Sequence, residues 1–393
     1  MDGSALQATP LIARLENCDT QMQKSADSVV SKSLPVNQLT QHLVLLGAAS
    51  AHLRVLAALA AKPLPDTQVT LVAAQPYTLP GPLLPGFIAG HTTLDDCTIA
   101  LGRLVEHSGV RWVQLGISRL DTAVRAVHLS DGSALPYDWL SIASGLACNR
   151  EQVERTLPGA REHALFVHPV EPFAALWPRV AALGDQRPLR LTVMGHDAQA
   201  SEIAMAVRHR LPQAAVTLLC GDVPPAAVFP PPVRQQLLLA LKDRGVTVLQ
   251  DHALAIHADT VALGCGASLA CDVVLLADRA ELPAWLTSSG LALDGSEDLA
   301  VDASLRSTSH GKVFGVPARD ASTRSATLLV RNLQAALAGK PLQLAPLQTT
   351  PVRLISFGGP TAMATWGQYS VQGNWIWRLK NWLDHRQMSR YFG

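Results

Sequence analysis

Two short turns in this chain have the spacing of a phosphate-binding site. The first, at 47–52 (GAASAH), ends the apolar run HLVLLG and opens an Ala- and Leu-rich stretch. The second, at 195–200 (GHDAQA), ends LRLTVMG and opens ASEIAMAVRHRL. A turn between a strand and a helix presents free backbone N–H groups and the positive end of the helix dipole, which together hold the pyrophosphate of a dinucleotide. Both turns are therefore candidates for dinucleotide binding.

The first turn keeps only part of the pattern G-x-G-x-x-G. Gly47 occupies the first glycine position, but the Ala49 methyl stands where a second glycine lets backbone approach the phosphates. Ser50 could add a hydroxyl donor. The acid that holds a ribose hydroxyl is missing at the end of the next predicted strand, near Ala73 and Ala74. From the residues alone, a dinucleotide site and a ligand-free βαβ core are equally open.

The second turn departs further from the pattern. Gly195 keeps the first position, but Asp197 occupies the second, where a carboxylate would meet a pyrophosphate with like charge and added bulk. These features argue against ordinary NAD(P)H binding there. Glu202, one helical turn further on, is interpreted as a charge in the cap region that interacts with the helix dipole rather than as a catalytic group.

The elements around these turns predict an α/β fold with two Rossmann-like dinucleotide-binding domains. In each unit a short apolar strand, a helix and a second strand follow one another, which makes a βαβ unit with parallel strands. Strands joined by tight turns, such as Asp131-Gly132, follow each unit. A strand around 312–316 and a helix over 325–338 come before the composition changes. The same layout is therefore predicted twice.

Composition and charge exclude several other classes of protein. Of the 393 residues, 48% are hydrophobic and 16% charged, which suits two or three domains with real cores. The 32 Lys and Arg nearly balance the 31 Asp and Glu, so no basic field indicates a nucleic-acid partner. Six scattered cysteines without CxxC indicate neither disulfides nor a metal site, and no GxSxG, HExxH or Walker motif is found. The chain has no signal sequence or uninterrupted apolar span, which favours a cytoplasmic protein.

A loop that is unusually apolar follows the second predicted strand. The segment Leu79–His91 (LPGPLLPGFIAGH) combines prolines and glycines with large apolar side chains. An ordinary solvent loop is more polar than this, so the composition favours a loop that wraps a flat ligand. A rigid, proline-braced connection is the alternative.

The C-terminal segment has a different composition and predicts an interface module. It contains four of the eight tryptophans. A helix over 374–391 would place aromatic and aliphatic residues on one broad face, beside basic residues at its edges: Trp375, Ile376, Leu379, Trp382 and Leu383, with Arg378, Lys380, Arg386 and Arg390. Aromatic rings next to basic side chains suit a membrane surface and also a protein partner. Both occupants stay open, as does simple packing on the protein's own core.

With these residues in view, the chain resembles the two-dinucleotide-domain flavoproteins of the pyridine nucleotide-disulfide oxidoreductase superfamily. It is most similar to type II NADH dehydrogenases, and in particular to the oxidoreductase domain fused to selenide-water dikinase. The resemblance runs in order through about residues 41–392. Its strongest segments are AHLRVLAALA, LPGFIAGHTTLDDCTIAL, LPYDWLSIASG, LPAWLTSSGLALD, VDASLRSTSHGKVFGV and NWIWRLKNWLDHRQMSRYF.

The resemblance implies a division of the chain into domains. An FAD-type domain would comprise residues 41–150 and 280–345, with an NAD(P)H-type domain at 151–279 inserted between its two parts. A C-terminal module at 346–393 would contact a membrane or a partner. Residues 1–40, which are polar and without periodicity, are predicted as a flexible leader.

The resemblance also implies a set of cofactor contacts. Those expected for FAD lie in the first turn, in the loop at 79–90 and in a short ATG-like turn: Gly47, Ala49, Ser50, Pro85, Gly86, Ser144 and Gly145. Gly195 would be the first glycine of the NAD(P)H turn. The family's ribitol-binding acid follows the strand ending in VFGV, but this chain has Ala318 there, and Asp320 comes two residues late.

The function implied is that of an FAD-dependent NAD(P)H:acceptor oxidoreductase whose acceptor is a small molecule or a quinone. The altered cofactor motifs leave a second interpretation open, a catalytically silent homologue that acts as a scaffold or regulatory subunit. The missing CxxC, and the absence of any cysteine after Cys271, argue against disulfide reduction and sulfide oxidation. Attachment to the inner face of the cytoplasmic membrane through residues 374–392 stays an open variant of the cytoplasmic prediction.

Overall fold

A computed structural model describes residues 41–277, 281–295, 297–318, 322–346 and 352–392. The strands in chain order are β1 (Gln41–Leu46), β2 (Thr67–Val72), β3 (Tyr77–Thr78), β4 (Ile99–Ala100), β5 (Arg111–Val113), β6 (Ile117–Asp121), β7 (Ala126–Leu129), β8 (Ala134–Pro136), β9 (Trp139–Ile142), β10 (Ala164–Phe166), β11 (Arg190–Met194), β12 (Ala215–Leu219), β13 (Val246–Leu249), β14 (Ala253–Ile256), β15 (Thr260–Leu263), β16 (Ser268–Ala270), β17 (Val273–Leu276), β18 (Val313–Gly315), β19 (Arg353–Ser356), β20 (Ala362–Trp366) and β21 (Tyr369–Gly373). The helices are α1 (Ser50–Ala61), α2 (Leu84–Ile88), α3 (Leu94–Cys97), α4 (Leu101–Ser108), α5 (Arg150–Thr156), α6 (Ala160–His163), α7 (Val170–Gln186), α8 (Ala198–Arg210), α9 (Pro231–Asp243), α10 (Ala284–Thr287), α11 (Thr323–Leu337) and α12 (Asn374–Phe392). The predicted leader at 1–40 lies outside the described residues.

The first large sheet is parallel and has the strand order β18-β9-β1-β2-β5. Its central strand β1 is buried on both faces. Leu43 and Leu45 pack with α1, α4 and α11, whereas Val44 and Leu46 pack with the small sheet β6-β7-β8. Burial on both faces explains why the sequence of β1 is a continuous apolar run rather than an alternating one.

The second large sheet repeats this arrangement with the order β10-β17-β11-β12-β13, again parallel. A small antiparallel sheet, β14-β15-β16, accompanies it. Helix α8 opens directly after β11, as α1 opens after β1. These two sheets confirm the predicted α/β fold with two Rossmann-like units. In such sheets ligands bind beyond the carboxyl ends of the strands, which is where both turns lie.

The C-terminal segment connects the two halves of the molecule. Strands β19, β20 and β21 form an antiparallel sheet, and α12 follows it. Ile355, Phe357 and Met363 belong to the core around the second large sheet, whereas Met388 belongs to the core around the first. The helix predicted at 374–391 is therefore present, and the C-terminal segment packs on the second unit through its strands and on the first unit through this helix.

Candidate functional site

The first turn packs closely against the turn that follows β9. Gly47 has φ +85°, and a Cβ on it would lie 2.3 Å from Ser144 Cα and 2.6 Å from Ala143 O. Only glycine fits such an approach. The Ala49 amide donates to Ala143 O at 3.0 Å. The structure thus brings Gly47, Ala49 and Ser144, which were predicted as FAD contacts, to one edge of the sheet.

The N-terminus of α1 is open to an anion. Ala49 is the N-cap residue, no side chain caps the helix, and its first turn contains no acid. Ser50 is its first helical residue. Ala49 has φ −67° and ψ 166°, an extended conformation that does not require glycine. The helix therefore offers its first amides and its dipole to a phosphate, and the Ala49 methyl group lies at the position where a second glycine would allow a closer approach.

His52, in the third-glycine position, connects the first turn to the sheet. Its side chain is fully buried, with Nδ1 2.7 Å from Gly47 O and Nε2 2.9 Å from Ser141 Oγ. Burial lowers the pKa of His52 to about 4, so the ring is neutral at pH 7. Because Gly47 O can only accept, Nδ1 donates to it and Nε2 accepts the Ser141 hydroxyl. Sequence reasoning missed this residue; its signal is one polar ring among the apolar residues at the start of α1.

The ATG-like turn at 143–145 adds two further predicted contacts. The Ser144 hydroxyl donates to Gly145 O at 3.3 Å. Gly145 has φ +70°, and a Cβ on it would have no heavy atom within 4 Å. The backbone beside the first turn is therefore uncrowded at this point, as a ligand that lies along it would require.

The apolar loop at 79–91 packs against the second half of the molecule. Leu84, Phe87 and Ile88 belong to the core around the second large sheet, and Trp177 Nε1 donates to Ile88 O at 3.2 Å. This packing accounts for much of the apolar composition of the loop, and the contact with a flat ligand stays a prediction.

The same loop contains two predicted FAD contacts and a histidine that bonds to the C-terminal segment. Pro85 is buried inside α2, whereas a Cβ on Gly86 would have no heavy atom within 4 Å. His91 Nε2 donates to Gly358 O at 2.6 Å, in the loop between β19 and β20. Of the two predicted contacts, Gly86 is the one with free space beside it.

The region of the predicted ribitol acid contains a different carboxylate. Asp320 lies outside the described residues. Ala318, which occupies the position of the family's acid, donates its N–H to Asp298 Oδ1 at 3.0 Å. Asp298 is almost fully buried and also accepts the Leu299 N–H. Sequence reasoning missed Asp298, because it lies 20 positions before Ala318 and outside any motif.

The second turn has its helix N-terminus capped by its own carboxylate. Asp197 Oδ1 accepts the N–H of Ala200 at 2.7 Å. Gly195 follows β11 and donates its N–H to Leu219 O at 3.0 Å. At the end of β12, where an acid would hold the ribose of NAD(P)H, the chain has the buried Cys220. The two turns therefore share a fold, but the helix after the first turn has no side-chain cap, whereas the helix after the second is capped by Asp197.

A largely buried acid–base cluster lies where α8 meets the C-terminal segment. Glu202 Oε1 accepts the Ser356 N–H at 2.6 Å. Burial raises the pKa of Glu202 to about 7, against the opposing effects of nearby Lys380 and of the Ser356 N–H. The interpretation of Glu202 as a simple cap-region charge missed this contact, because its partner lies 154 positions further along the chain.

Lys380 connects this cluster to the loop at 79–91. Its side chain is buried, and Nζ donates to Asp384 Oδ2 at 2.7 Å and to Pro82 O at 3.0 Å. Burial raises the pKa of Asp384, while Lys380 opposes that effect. We use the name acid–base cluster for Glu202, Lys380 and Asp384. It joins the second unit, the apolar loop and α12, and it contains a carboxyl that titrates near neutral pH.

The outer face of α12 is aromatic and exposed. Trp375 and Trp382 are 59% and 54% exposed, and Leu379 and Leu383 lie on the same face at 40% and 41%. Ile376, predicted to share this face, is buried against β20 instead. Across the part of the chain that the structure describes, no helix has the length and apolar character needed to cross a membrane.

No known protein-family model matches the chain, but solved structures share its fold. What they share with this chain is the fold with two Rossmann-like units, as the sequence predicted. The sulfide:quinone oxidoreductase of the hyperthermophilic bacterium Aquifex aeolicus aligns with a TM-score of 0.71 and 14% identity, over 90% of this chain and 91% of that one. Putidaredoxin reductase, in its covalent complex with putidaredoxin, aligns with a TM-score of 0.68 and 18% identity, over 83% of this chain and 82% of that one. The water-forming NADH oxidase of Lactobacillus brevis bound to NADH aligns with a TM-score of 0.67 and 16% identity, over 83% of this chain and 75% of that one.

FAD and NAD(P)H do not fit the two turns equally well. The first turn fits FAD at its pyrophosphate: α1 is uncapped, Gly47 allows close loop packing, and Gly145 leaves open space. No acid stands at Ala73 or Ala74 for the ribose. The second turn does not fit NAD(P)H, because Asp197 brings a negative charge to the pyrophosphate position and already bonds an amide of the helix.

Proposed function

We propose that this protein is an FAD-dependent oxidoreductase that delivers electrons to a quinone-type acceptor. Residues 41–150 and 280–345 would form its FAD-type domain, and residues 151–279 the second Rossmann-like unit. The observation that carries the proposal is the acid–base cluster, in which a largely buried carboxyl with a pKa of about 7 is coupled to a buried lysine. FAD, when bound, supplies reversible two-electron chemistry. The proposal concerns the half-reaction in which reduced flavin gives two electrons to the quinone, which takes up two protons to become the quinol. NAD(P)H is left out as donor because the second turn does not fit it, and dithionite supplies the electrons in the test below.

The cluster favours an acceptor that takes up protons together with electrons. A carboxyl that titrates near neutral pH can hold a proton and release it during reduction, which general acid catalysis requires. Reduction of a quinone to a quinol consumes two protons, whereas a one-electron metal-centre acceptor consumes none. Lys380, bonded to both Asp384 and the Pro82 carbonyl, fixes the cluster against the loop that is predicted to flank the flavin.

We further propose that the exposed face of α12 docks on a lipid surface containing anionic headgroups. Trp375, Leu379, Trp382 and Leu383 supply the apolar contact. Arg386 is exposed, with its guanidinium 5.0 Å from the centre of the Trp382 ring, and it can meet a phosphate at the same depth. Asp384, the acid of this helix, is paired with Lys380 on the inner side. A lipid surface is also where hydrophobic quinones are found, and a protein partner is the other outcome of the test below.

The proposal is tested with FAD-loaded protein that is reduced anaerobically with dithionite and mixed with decylubiquinone or ferricyanide. Reoxidation is followed by flavin absorbance. We expect Glu202→Gln to slow reoxidation by the quinone about a hundredfold and to leave ferricyanide unaffected, because only the quinone needs a proton. Glu106→Gln, an exposed carboxylate on α4, is the matched control.

Two results would contradict the proposal. Equal rates for the wild type and Glu202→Gln with the quinone would exclude the acid–base cluster from acceptor reduction. A colourless protein that does not retain added FAD would exclude the flavin itself and would favour the silent scaffold as the function.

A further inference from the structure

The turn at 195–200 is closed by bonds within the chain. Asp197 accepts the Ala200 N–H, so one of the helix amides open to a pyrophosphate is already occupied. Gln199 is also engaged: its Oε1 lies 3.2 Å from His168 Nε2, in the segment after β10. Burial lowers the pKa of His168, which keeps its ring neutral and leaves Nε2 as the donor to the amide oxygen.

The loop after β12 closes the same turn from the other side. The Ala226 N–H donates to His196 O at 2.5 Å, and Ala226 is fully buried with φ +54°. A non-glycine residue holds such a backbone conformation only where its surroundings enforce it. Phe229 follows and is buried in the core around the second sheet. The loop thus lies beyond the carboxyl end of β12, the region that an adenosine ribose would need.

We infer that the Asp197 carboxylate replaces the pyrophosphate as the anion at the N-terminus of α8, and that the second unit does not bind NAD(P)H. The carboxylate supplies what a phosphate would supply, a negative charge at the positive end of the helix and an acceptor for its free amide. A dinucleotide would have to displace this bond and then lie beside the like charge. The first turn has no such internal anion, so the asymmetry lies in the residues and not in the fold.

Calorimetric titration of the purified protein with NADH and with NADPH tests this inference. We expect no saturable heat for the wild type. Asp197→Gly frees the Ala200 amide and restores the second glycine, so we expect saturable heat with NADH, at an affinity at least about tenfold above the detection limit set by the wild-type titration. Asp197→Asn removes the charge but keeps a capping oxygen, and it should gain less than Asp197→Gly.

Hydrogen exchange at the Ala200 amide provides a second measurement. It should be slow in the wild type and in Asp197→Asn and faster in Asp197→Gly, since only the glycine variant loses the cap. Saturable NADH binding by the wild type would overturn the inference, as would a folded Asp197→Gly variant that binds no better than the wild type. The titration does not require flavin, so its outcome is independent of the proposed function.

Discussion

The pH dependence of stability provides a demanding test of the acid–base cluster. Glu202→Gln keeps an oxygen that can accept the Ser356 N–H and removes the titrating carboxyl. Burial raises the pKa of Glu202 in the folded protein from 4.5 to about 7, so between these values the folded state binds a proton that the unfolded state has released. The contribution of this group to stability is therefore complete below the lower value and is lost as the pH rises through the higher one.

The magnitude follows from the two pKa values. Each unit of difference corresponds to about 1.4 kcal/mol, so the full loss is about 3 kcal/mol, of which about 2.5 kcal/mol falls between pH 5 and pH 8. His52 acts in the opposite direction. Burial lowers its pKa from 6.5 to about 4, so its contribution is present above the higher value and is lost as the pH falls through the lower one. The two effects nearly cancel in the wild type, and only the difference between variants separates them.

Urea unfolding at pH values from about 5 to 8 isolates the contribution of Glu202 to stability. It is measured for the wild type, for Glu202→Gln and for the surface control Glu106→Gln. We expect the free energy of unfolding of Glu202→Gln to gain about 2.5 kcal/mol on the wild type across this range, and that of Glu106→Gln to stay parallel to it. Carboxyl-labelled glutamate, followed by NMR, gives the pKa directly if unfolding is not two-state. A constant difference between the wild type and Glu202→Gln, or one that favours the wild type as the pH rises, would refute the reasoning.

Two further predictions concern the first turn and the tail. Gly47→Ala should lower the free energy of unfolding by about 3 kcal/mol or more. Gly132→Ala, which has the same φ of +85° and no atom within 4 Å of its Cβ, should lower it by about 1–2 kcal/mol. Equal losses of stability in denaturant titrations would contradict the close packing of Gly47 on Ser144. Trp375→Ser combined with Trp382→Ser should reduce co-sedimentation with phosphatidylglycerol vesicles about tenfold or more, and Leu239→Ser, an exposed leucine on α9, should not. Unchanged sedimentation of the double variant would leave a protein partner as the occupant of this face.

The fold could be predicted because its signals are local. The apolar runs of β1 and β11 each end at a glycine and continue into a helix, and such a pattern has few solutions other than a βαβ unit. The length of α12 was also readable, from the spacing of its aromatic residues. Which side of α12 faces the core was not, because Ile376 and Lys380 are buried by strands and loops that come from elsewhere in the chain.

The acid–base cluster shows why the site was harder to predict than the fold. Glu202 and Lys380 are far apart in sequence, and each looks ordinary alone: an acid in the first half of a helix and a lysine in a basic, aromatic segment. Their environment comes from packing of the C-terminal segment on α8, which also determines whether the carboxyl is solvated. A pKa near neutral is thus a property of the assembled fold and not of either segment.

The two turns illustrate how one lost glycine can have two different consequences. At position 49 the replacement is alanine, whose methyl narrows the approach but offers no hydrogen-bonding group, so the amides of α1 still need an acceptor. At position 197 the replacement is aspartate, whose side chain is itself an acceptor and reaches the Ala200 amide. A search for the pattern G-x-G-x-x-G treats both replacements alike, as a missing second glycine. The chemistry of the new side chain decides whether the helix end keeps free amides for a ligand. On that ground we propose the first turn as the cofactor site and the second as part of the scaffold.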